Sequence, residues 1–445
     1  MDTPIRDFVN KYIESDAVRA HMPGHKGKSF IGLESLDLTE IDGADDLFNA
    51  DGIIAESEKN ASEIFGADTF YSTEGSTLSI KAMLFLATKY AINKGIKPVI
   101  LAGRNAHKSI LNAAALIGFD IEWILPKDCS YLSCNITAND LLPILSNSKT
   151  KPVAVYITVP DYLGNTVDIK ALADVCKTYG VLLLVDNAHG AYLKFLTPSI
   201  HPIDLGATAC CDSAHKTLPV ITGGGYLHIS KDAPKFFKDN AKNAMALFGS
   251  TSPSYLILQS LDILNKYLYN DYKLKLSATI SRVENLKSNL INLGYSLIGR
   301  EGLKITLDIK KYGYTGIEFS GLLKDKGVFI EFCDPDYVVL MLSTETSEKE
   351  FNRLENALKS IPKRTPILTS KIQLKLPKKA LSVRDALLSP SEVIPAKNAL
   401  GRIISNETVA CPPAVPVIVS GEVVDENTIE LFNYYHIKTC SVIKE

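Results

Sequence analysis

The 445-residue chain lacks an excess of either charge: 48 Lys and Arg stand against 50 Asp and Glu, a formal net charge of −2. Broad nucleic-acid faces and polybasic membrane patches need a surplus of Lys and Arg, so neither partner is expected. Nor is there a run near the roughly 20 apolar residues of a membrane span. The first residues, Met1-Asp2-Thr3-Pro4-Ile5-Arg6-Asp7, carry acids with no apolar stretch behind them, unlike a secretory signal. Eight cysteines are scattered without a Cys-x-x-Cys pair or a paired Cys/His spacing. No metal centre or disulfide framework is therefore expected, and a reducing cytoplasm is the default compartment. Internal repeats and low-complexity tracts are missing as well.

What is present is a globular composition, 46% hydrophobic and 22% charged, unlike that of a disordered chain. At about 150 residues per domain, the length allows about two to four domains. From Phe65 to Ile229, short runs rich in Val, Ile and Leu alternate with helical patterns. Val99–Ala102, Val153–Val159, Val181–Val185 and Gly225–Ile229 suit strands covered on both faces, as in a parallel sheet. Asp168–Tyr179 reads as an amphipathic helix with Gly180 as its stop, and Ser76–Asn93 as a buried helix, apolar nearly all round. The alternation predicts an α/β domain whose strand ends share one sheet edge, where chemistry collects. Beyond Ser252-Pro253, one long helical stretch (Tyr255–Leu293) is followed by strands at Lys304–Ile309 and Tyr337–Leu342 and a helix near Ser347–Ile361. That is the pattern of a smaller α+β domain. Pro362–Lys379 reads as a connector and Ser382–Glu445 as a C-terminal extension. The resulting division is an arm (1–30), a large domain (31–250), a small domain (251–365) and a C-terminal domain (366–445).

Polar residues punctuate the strand ends. Glu74-Gly75-Ser76-Thr77 opens the buried helix, where free N–H groups and hydroxyls can hold an anion, although a plain serine N-cap reads the same. Arg104-Asn105-Ala106-His107-Lys108-Ser109 puts His107 at the same edge. Asp186 directly follows five apolar residues, a costly place for a carboxylate without a cationic partner. In Asp212-Ser213-Ala214-His215-Lys216-Thr217-Leu218-Pro219, Lys216 is placed for partial desolvation, which makes an amine nucleophilic toward carbonyls. Cys210 and Cys211, just before, read as small core residues of a buried strand. An anion site, a strand-end carboxylate and a lysine, in that order, are what pyridoxal 5′-phosphate requires.

Several segments carry a resemblance: His21-Met22-Pro23-Gly24-His25-Lys26-Gly27-Lys28, the His107 segment, Asp161-Tyr162-Leu163-Gly164, Val185-Asp186-Asn187-Ala188-His189-Gly190-Ala191, Ser213–Pro219, Thr251–Tyr255, and Cys411–Pro416 through Glu422. Together they resemble the ornithine/lysine/arginine decarboxylase family, with the type I pyridoxal-phosphate-dependent transferase fold. The resemblance covers nearly the whole chain and implies a mostly parallel central sheet, a small α+β domain and a C-terminal extension. It implies that Lys216 carries a Schiff base and that Asp186 pairs with the pyridinium nitrogen. It places His107 on the cofactor ring, Ser76, Thr77, Ser213 and His215 around the phosphate, and His189 beside the ring or the reacting carbon. It further implies a homodimer, with the His21–Lys28 arm near a site, and a short form without the receiver-like N-terminal domain of longer members.

The chain departs from the family pattern at Glu74, where Asn is usual, at Ser79, in the acidic Thr39–Leu47 segment, and at Thr222-Gly223-Gly224-Gly225. The expected reaction is α-decarboxylation of arginine, lysine or ornithine, with Lys216 or His189 returning the proton to Cα. A cationic substrate tail needs a carboxylate. Glu331, flanked by apolar residues, is the candidate, with a structural ion pair as its alternative role. Two other readings stay open: another enzyme of the same cofactor, such as an aminotransferase or α-oxoamine synthase, and a non-catalytic protein keeping the fold.

Overall fold

The computed structural model describes residues 1–126, 129–148, 150–368, 372–407 and 413–444. Cys411 and Pro412 of the C-terminal motif lie outside the described residues. Fourteen strands are described. They are β1 (Asp68–Ser72), β2 (Val99–Gly103), β3 (Asp120–Ile124), β4 (Ala154–Thr158), β5 (Leu182–Asp186), β6 (Ala209–Asp212) and β7 (Gly225–Ile229), then β8 (Leu297–Ile298), β9 (Lys304–Asp308), β10 (Phe332–Cys333), β11 (Tyr337–Met341), β12 (Ser391–Pro395), β13 (Ile404–Asn406) and β14 (Thr439–Ile443). The chain divides into two compact units. One comprises Met1–Lys97, Val153–Val155 and Ile169–Leu276; the other comprises Pro98–Pro152, Tyr156–Asp168 and Ser277–Glu445.

In the first unit the strand order is β1-β7-β6-β5, continued by the first residues of β4. β5 and β6 are parallel, with Asp186 opposite Cys211. β7 runs antiparallel to both its neighbours, pairing Asp212 with Tyr226 and Ser72 with Gly225. This corrects the expectation that β7 is one more parallel strand. Between β6 and β7 there is only the single-turn helix Ala214–Thr217, too little for the crossover a parallel return needs. The consequence for chemistry is direct. β1, β5 and β6 all point the same way, so Ser72, Asp186 and Asp212 reach one edge together.

The helix Gly75–Asn93 is buried along most of its length, including Leu78, Ile80, Met83, Leu84 and Leu86. Ile169–Tyr179 forms as expected, with Gly180 at φ +60° after its end. The long helical stretch is instead two helices, Tyr255–Asn270 and Tyr272–Asn292, separated at Asp271. Periodicity alone does not reveal this break, because the apolar spacing carries on across it.

The first of those helices brings Asp262 into the core, where it accepts from Ser57 Oγ (2.5 Å) and Arg6 N (2.9 Å). Burial pushes its carboxyl up to about 6, against the lowering effect of those donors. A carboxyl raised in the folded state favours folding below its unfolded value. It loses that contribution as pH rises through about 6. Asp262→Asn should therefore flatten the decline in stability between pH 4 and 7 by roughly 2 kcal/mol, measured by urea unfolding at several pH values. An unchanged pH slope would rule the assignment out.

In the second unit, β2 and β3 are parallel, from Val99 opposite Asp120 to Gly103 opposite Ile124, and the remaining residues of β4 lie beside β2. A four-stranded antiparallel sheet, β10-β11-β9-β8, shares its core with the helices Gly316–Asp325 and Glu348–Lys359. Ser347 caps the second of these reciprocally with Glu350. A three-stranded sheet, β12-β14-β13, closes the chain. Among the described residues of 362–379 there is no helix or strand, and Lys379 bridges to Glu422.

Candidate active site

The site in the first unit begins where β1, β5 and β6 end. Ser76 opens the 19-residue helix at its N-terminus, and Ser213 follows β6. Ser213 Oγ donates to Ser76 Oγ at 2.8 Å and accepts from Ser76 N at 3.3 Å. Thr77 stands in the same first helical turn. The glycine run Gly223-Gly224-Gly225, a departure at the sequence level, has a packing reason. A Cβ on Gly225 would lie 2.8 Å from Asp212 O and 3.0 Å from Gly75 C; one on Gly223, at φ +102°, would lie 2.8 Å from Thr73 O. Only glycine lets this loop meet the helix start, where Gly75 N donates to Gly223 O at 2.6 Å.

The same loop fixes His215. Its Nδ1 donates to Gly224 O at 2.9 Å. Burial pushes its pKa down, the Gly224 carbonyl opposes that shift, and the Lys216 charge adds to it. His215 is thus a neutral imidazole facing the helix start, with a Cβ at Gly75 placed only 3.3 Å from its Cε1. Glu74, another of the departures, accepts from Ser250 N at 2.8 Å.

Lys216 is half-buried, and its Nζ lies 3.1 Å from Nε2 of the buried His189. Asp186, 1% exposed at the end of β5, accepts from Ala188 N at 3.2 Å. One strand end therefore supplies a buried carboxylate and the next supplies an amine, with an imidazole touching that amine. Together with two hydroxyls at a long helix's N-terminus, this donor set fits pyridoxal phosphate. The hydroxyls and helix N–H groups suit the phosphate, Asp186 the ring nitrogen and Lys216 the aldehyde.

His107 and Glu331 belong to the second unit. Ser109 N donates to His107 Nδ1 at 3.2 Å, with Ser109 Oγ 2.7 Å from the same atom. That leaves the ring's proton on Nε2. The segment is held by Arg104, 1% exposed, which donates to Pro416 O (3.0 Å), Val417 O (3.1 Å) and Glu422 Oε2 (3.2 Å). Lys108 N adds a bond to Ala414 O at 2.8 Å. The C-terminal motif is thus structurally tied to the His107 segment, through a buried ion pair between residues 318 apart. Glu331 is half-buried and accepts from Tyr162 OH at 2.7 Å. Nearby in sequence, burial raises the Asp334 carboxyl to about 6. Arg104, Glu422, Asn187 and Asp212 lie inside the segments quoted from the sequence, where no role of their own is visible.

Residues 3–298 match the profile of the Orn/Lys/Arg decarboxylase major domain. The chain belongs to the Orn/Lys/Arg decarboxylase family. An arginine decarboxylase of Bacillus subtilis (strain 168) is 28% identical over 461 residues, covering 96% of this chain and 92% of that protein. Among solved structures, the constitutive lysine decarboxylase of E. coli superposes with a TM-score of 0.80 at 15% identity, covering 100% of this chain and 82% of that one. The alanine–glyoxylate aminotransferase of Nostoc sp. superposes with a TM-score of 0.56 at 16% identity, over 69% of this chain and 86% of that one. The α/β class, with its mostly parallel central sheet and type I fold, is thereby borne out. As a member of the Orn/Lys/Arg decarboxylase family, the chain is a pyridoxal-phosphate-dependent amino-acid decarboxylase. No helix of the described residues is long and apolar enough to cross a membrane.

Proposed function

We propose that this enzyme removes the α-carboxylate of arginine, lysine or ornithine as CO₂, leaving the corresponding amine. The observation that carries the reading is the Lys216 amine 3.1 Å from His189, with buried Asp186 at the adjoining strand end. When bound, pyridoxal phosphate supplies an aldehyde for amines and a sink for the electron pair left by CO₂. Lys216 is the amine that would hold the cofactor. Asp186, kept from water, would pair with the ring nitrogen and keep it protonated. Ser76, Thr77, Ser213 and His215 would hold the phosphate; with its Nδ1 hydrogen committed to Gly224 O, His215 can donate to it from Nε2 only once protonated. His107, its Nδ1 engaged by Ser109, would be the residue that stacks on the ring. His189, 3.1 Å from Lys216 Nζ, can take a proton from that amine, and either His189 or Lys216 would return one to Cα. A homodimer in the cytoplasm is the assembly this reading carries.

Glu331 is the carboxylate for the substrate's cationic end, oriented by the Tyr162 hydroxyl at 2.7 Å. Glu331→Gln keeps the shape and removes the charge. It should raise KM for the preferred basic substrate by roughly 10–100-fold, the worth of one charge-assisted hydrogen bond, with little change in kcat. Steady-state kinetics checks this, and an unchanged KM would return Glu331 to a structural role.

The function itself is tested by trapping labelled CO₂ from arginine, lysine and ornithine. Release from one of them at a catalytic rate is the expected result. No release, accompanied by amino transfer to a keto acid, would make the enzyme a transaminase instead.

A further inference from the structure

Behind the Lys216 turn lies a fully buried polar cluster that the proposed chemistry does not use. Asp212 is the last residue of β6, one position before Ser213 and four before Lys216. Its Oδ1 accepts from Asn187 Nδ2 at 2.6 Å. Its Oδ2 faces His201 Nε2 at 3.2 Å and His228 Nε2 at 3.1 Å. All four side chains are essentially inaccessible to solvent. Burial alone would raise the Asp212 carboxyl, but the two imidazoles outweigh it and hold it well below the usual carboxylate range. Burial lowers His228, so that ring meets Asp212 as a neutral N–H donor, its Nδ1 engaged by Thr69 Oγ1 at 2.9 Å.

The register explains the arrangement. Cys210 pairs with His228 across β6 and β7, so Cys210, Asp212 and His228 share one face. Asp186 and Cys211 share the other. Asn187 follows Asp186, so alternation turns its side chain to the Asp212 face, where Nδ2 reaches Oδ1. Its position in the chain puts it next to Asp186 and two residues before His189, and its backbone O accepts from Gly190 N at 2.7 Å. A Cβ on Gly190 would fall 2.0 Å from Asn187 Oδ1, so the turn closes tightly over this amide.

We propose that Asn187 and Asp212 form a positioning pair that locks the Asp186–His189 turn to the Ser213–Lys216 turn. The inference rests on the cofactor roles proposed for Asp186 and Lys216. Neither member touches substrate or cofactor. Each sits within four residues of two groups that do, and the hydrogen bond between them sets the distance from Lys216 to His189. His201 and His228 keep Asp212 ionised and in place, so the acceptor for Asn187 is fixed before any ligand arrives.

The experiment uses Asn187→Asp and the exchanged double variant Asn187→Asp/Asp212→Asn in the holoenzyme. The single change sets two carboxylates against each other where an amide met a carboxylate. The double change restores the pair with the roles reversed, and the amide oxygen then present at position 212 can still accept from both imidazoles. Wild type and both variants are compared in kcat, KM, melting temperature and the visible absorbance and ellipticity of the lysine-bound cofactor. Asn187→Asp should lower kcat on the order of 100-fold, the cost of a small misplacement near reacting groups, with KM nearly unchanged and the cofactor band shifted. The double variant should recover at least about tenfold of that loss, melt above the single variant and regain the wild-type band. A double variant no better than the single one, or a single variant as fast as wild type, overturns the positioning role alone. Absence of a lysine-bound cofactor band in the wild type overturns the cofactor roles, and this proposal with them.

Discussion

Lys216→Ala is expected to abolish turnover while leaving the fold intact. The side chain is half-buried with its Nζ on His189, so its removal leaves a small gap at a partly solvated edge, not a core cavity. Stability should therefore change little. The chemistry loses far more. A positioned amine acts at an effective concentration of about 10⁵–10⁸ M, and no other side chain in the described site offers an amine. Decarboxylation should fall at least about 10⁴-fold. A small primary amine added at high concentration should restore a small part of it. Borohydride reduction should attach the cofactor covalently to Lys216 in the wild type and nowhere in the variant, read by peptide mass. Retained turnover, or no adduct on Lys216 in the wild type, would refute the assignment.

Much of this arrangement was legible from residue order. Runs such as Val181–Val185 mark strands because burial on both faces excludes polar residues, and the acid or amine after each run is then conspicuous. The helix at Ser76 was visible for the same reason. The direction of β7 was not, since Gly225–Ile229 has the composition of a buried strand in either orientation; only the shortness of the helix before it decides. The break at Asp271 was hidden by unbroken apolar periodicity. The Arg104–Glu422 pair and the Asn187–Asp212 pair were out of reach for a different reason. Each joins positions far apart in the chain, and a pattern read along one strand or one helix contains nothing that pairs them. Asn187 stood inside a recognised motif yet gained a role only when its partner's position was known. Glu331 was singled out by its apolar flanks, and the structure adds the tyrosine that orients it.

Asp186 offers the second large effect. Its carboxylate is 1% exposed and accepts from Ala188 N. Its neighbour on the same sheet face is Cys211, whose thiol is pushed up by burial first and by the Asp186 charge second. The cysteine therefore stays a neutral donor, at 3.7 Å from Asp186 Oδ1, and does not compete for the negative charge. Asp186→Asn keeps the size and the hydrogen-bond reach but removes that charge. A protonated ring nitrogen would then be buried without a counter-ion, a loss of about 3–5 kcal/mol, or about 10²–10⁴-fold in kcat. Cofactor affinity should fall less, because Ser76, Ser213 and His215 are left in place for the phosphate. The two effects separate in one titration: kcat at saturating cofactor reports the ring nitrogen, and the half-saturation point reports the phosphate site. A variant that loses affinity but keeps kcat at saturation would show that Asp186 only anchors the ring and does not sustain its charge.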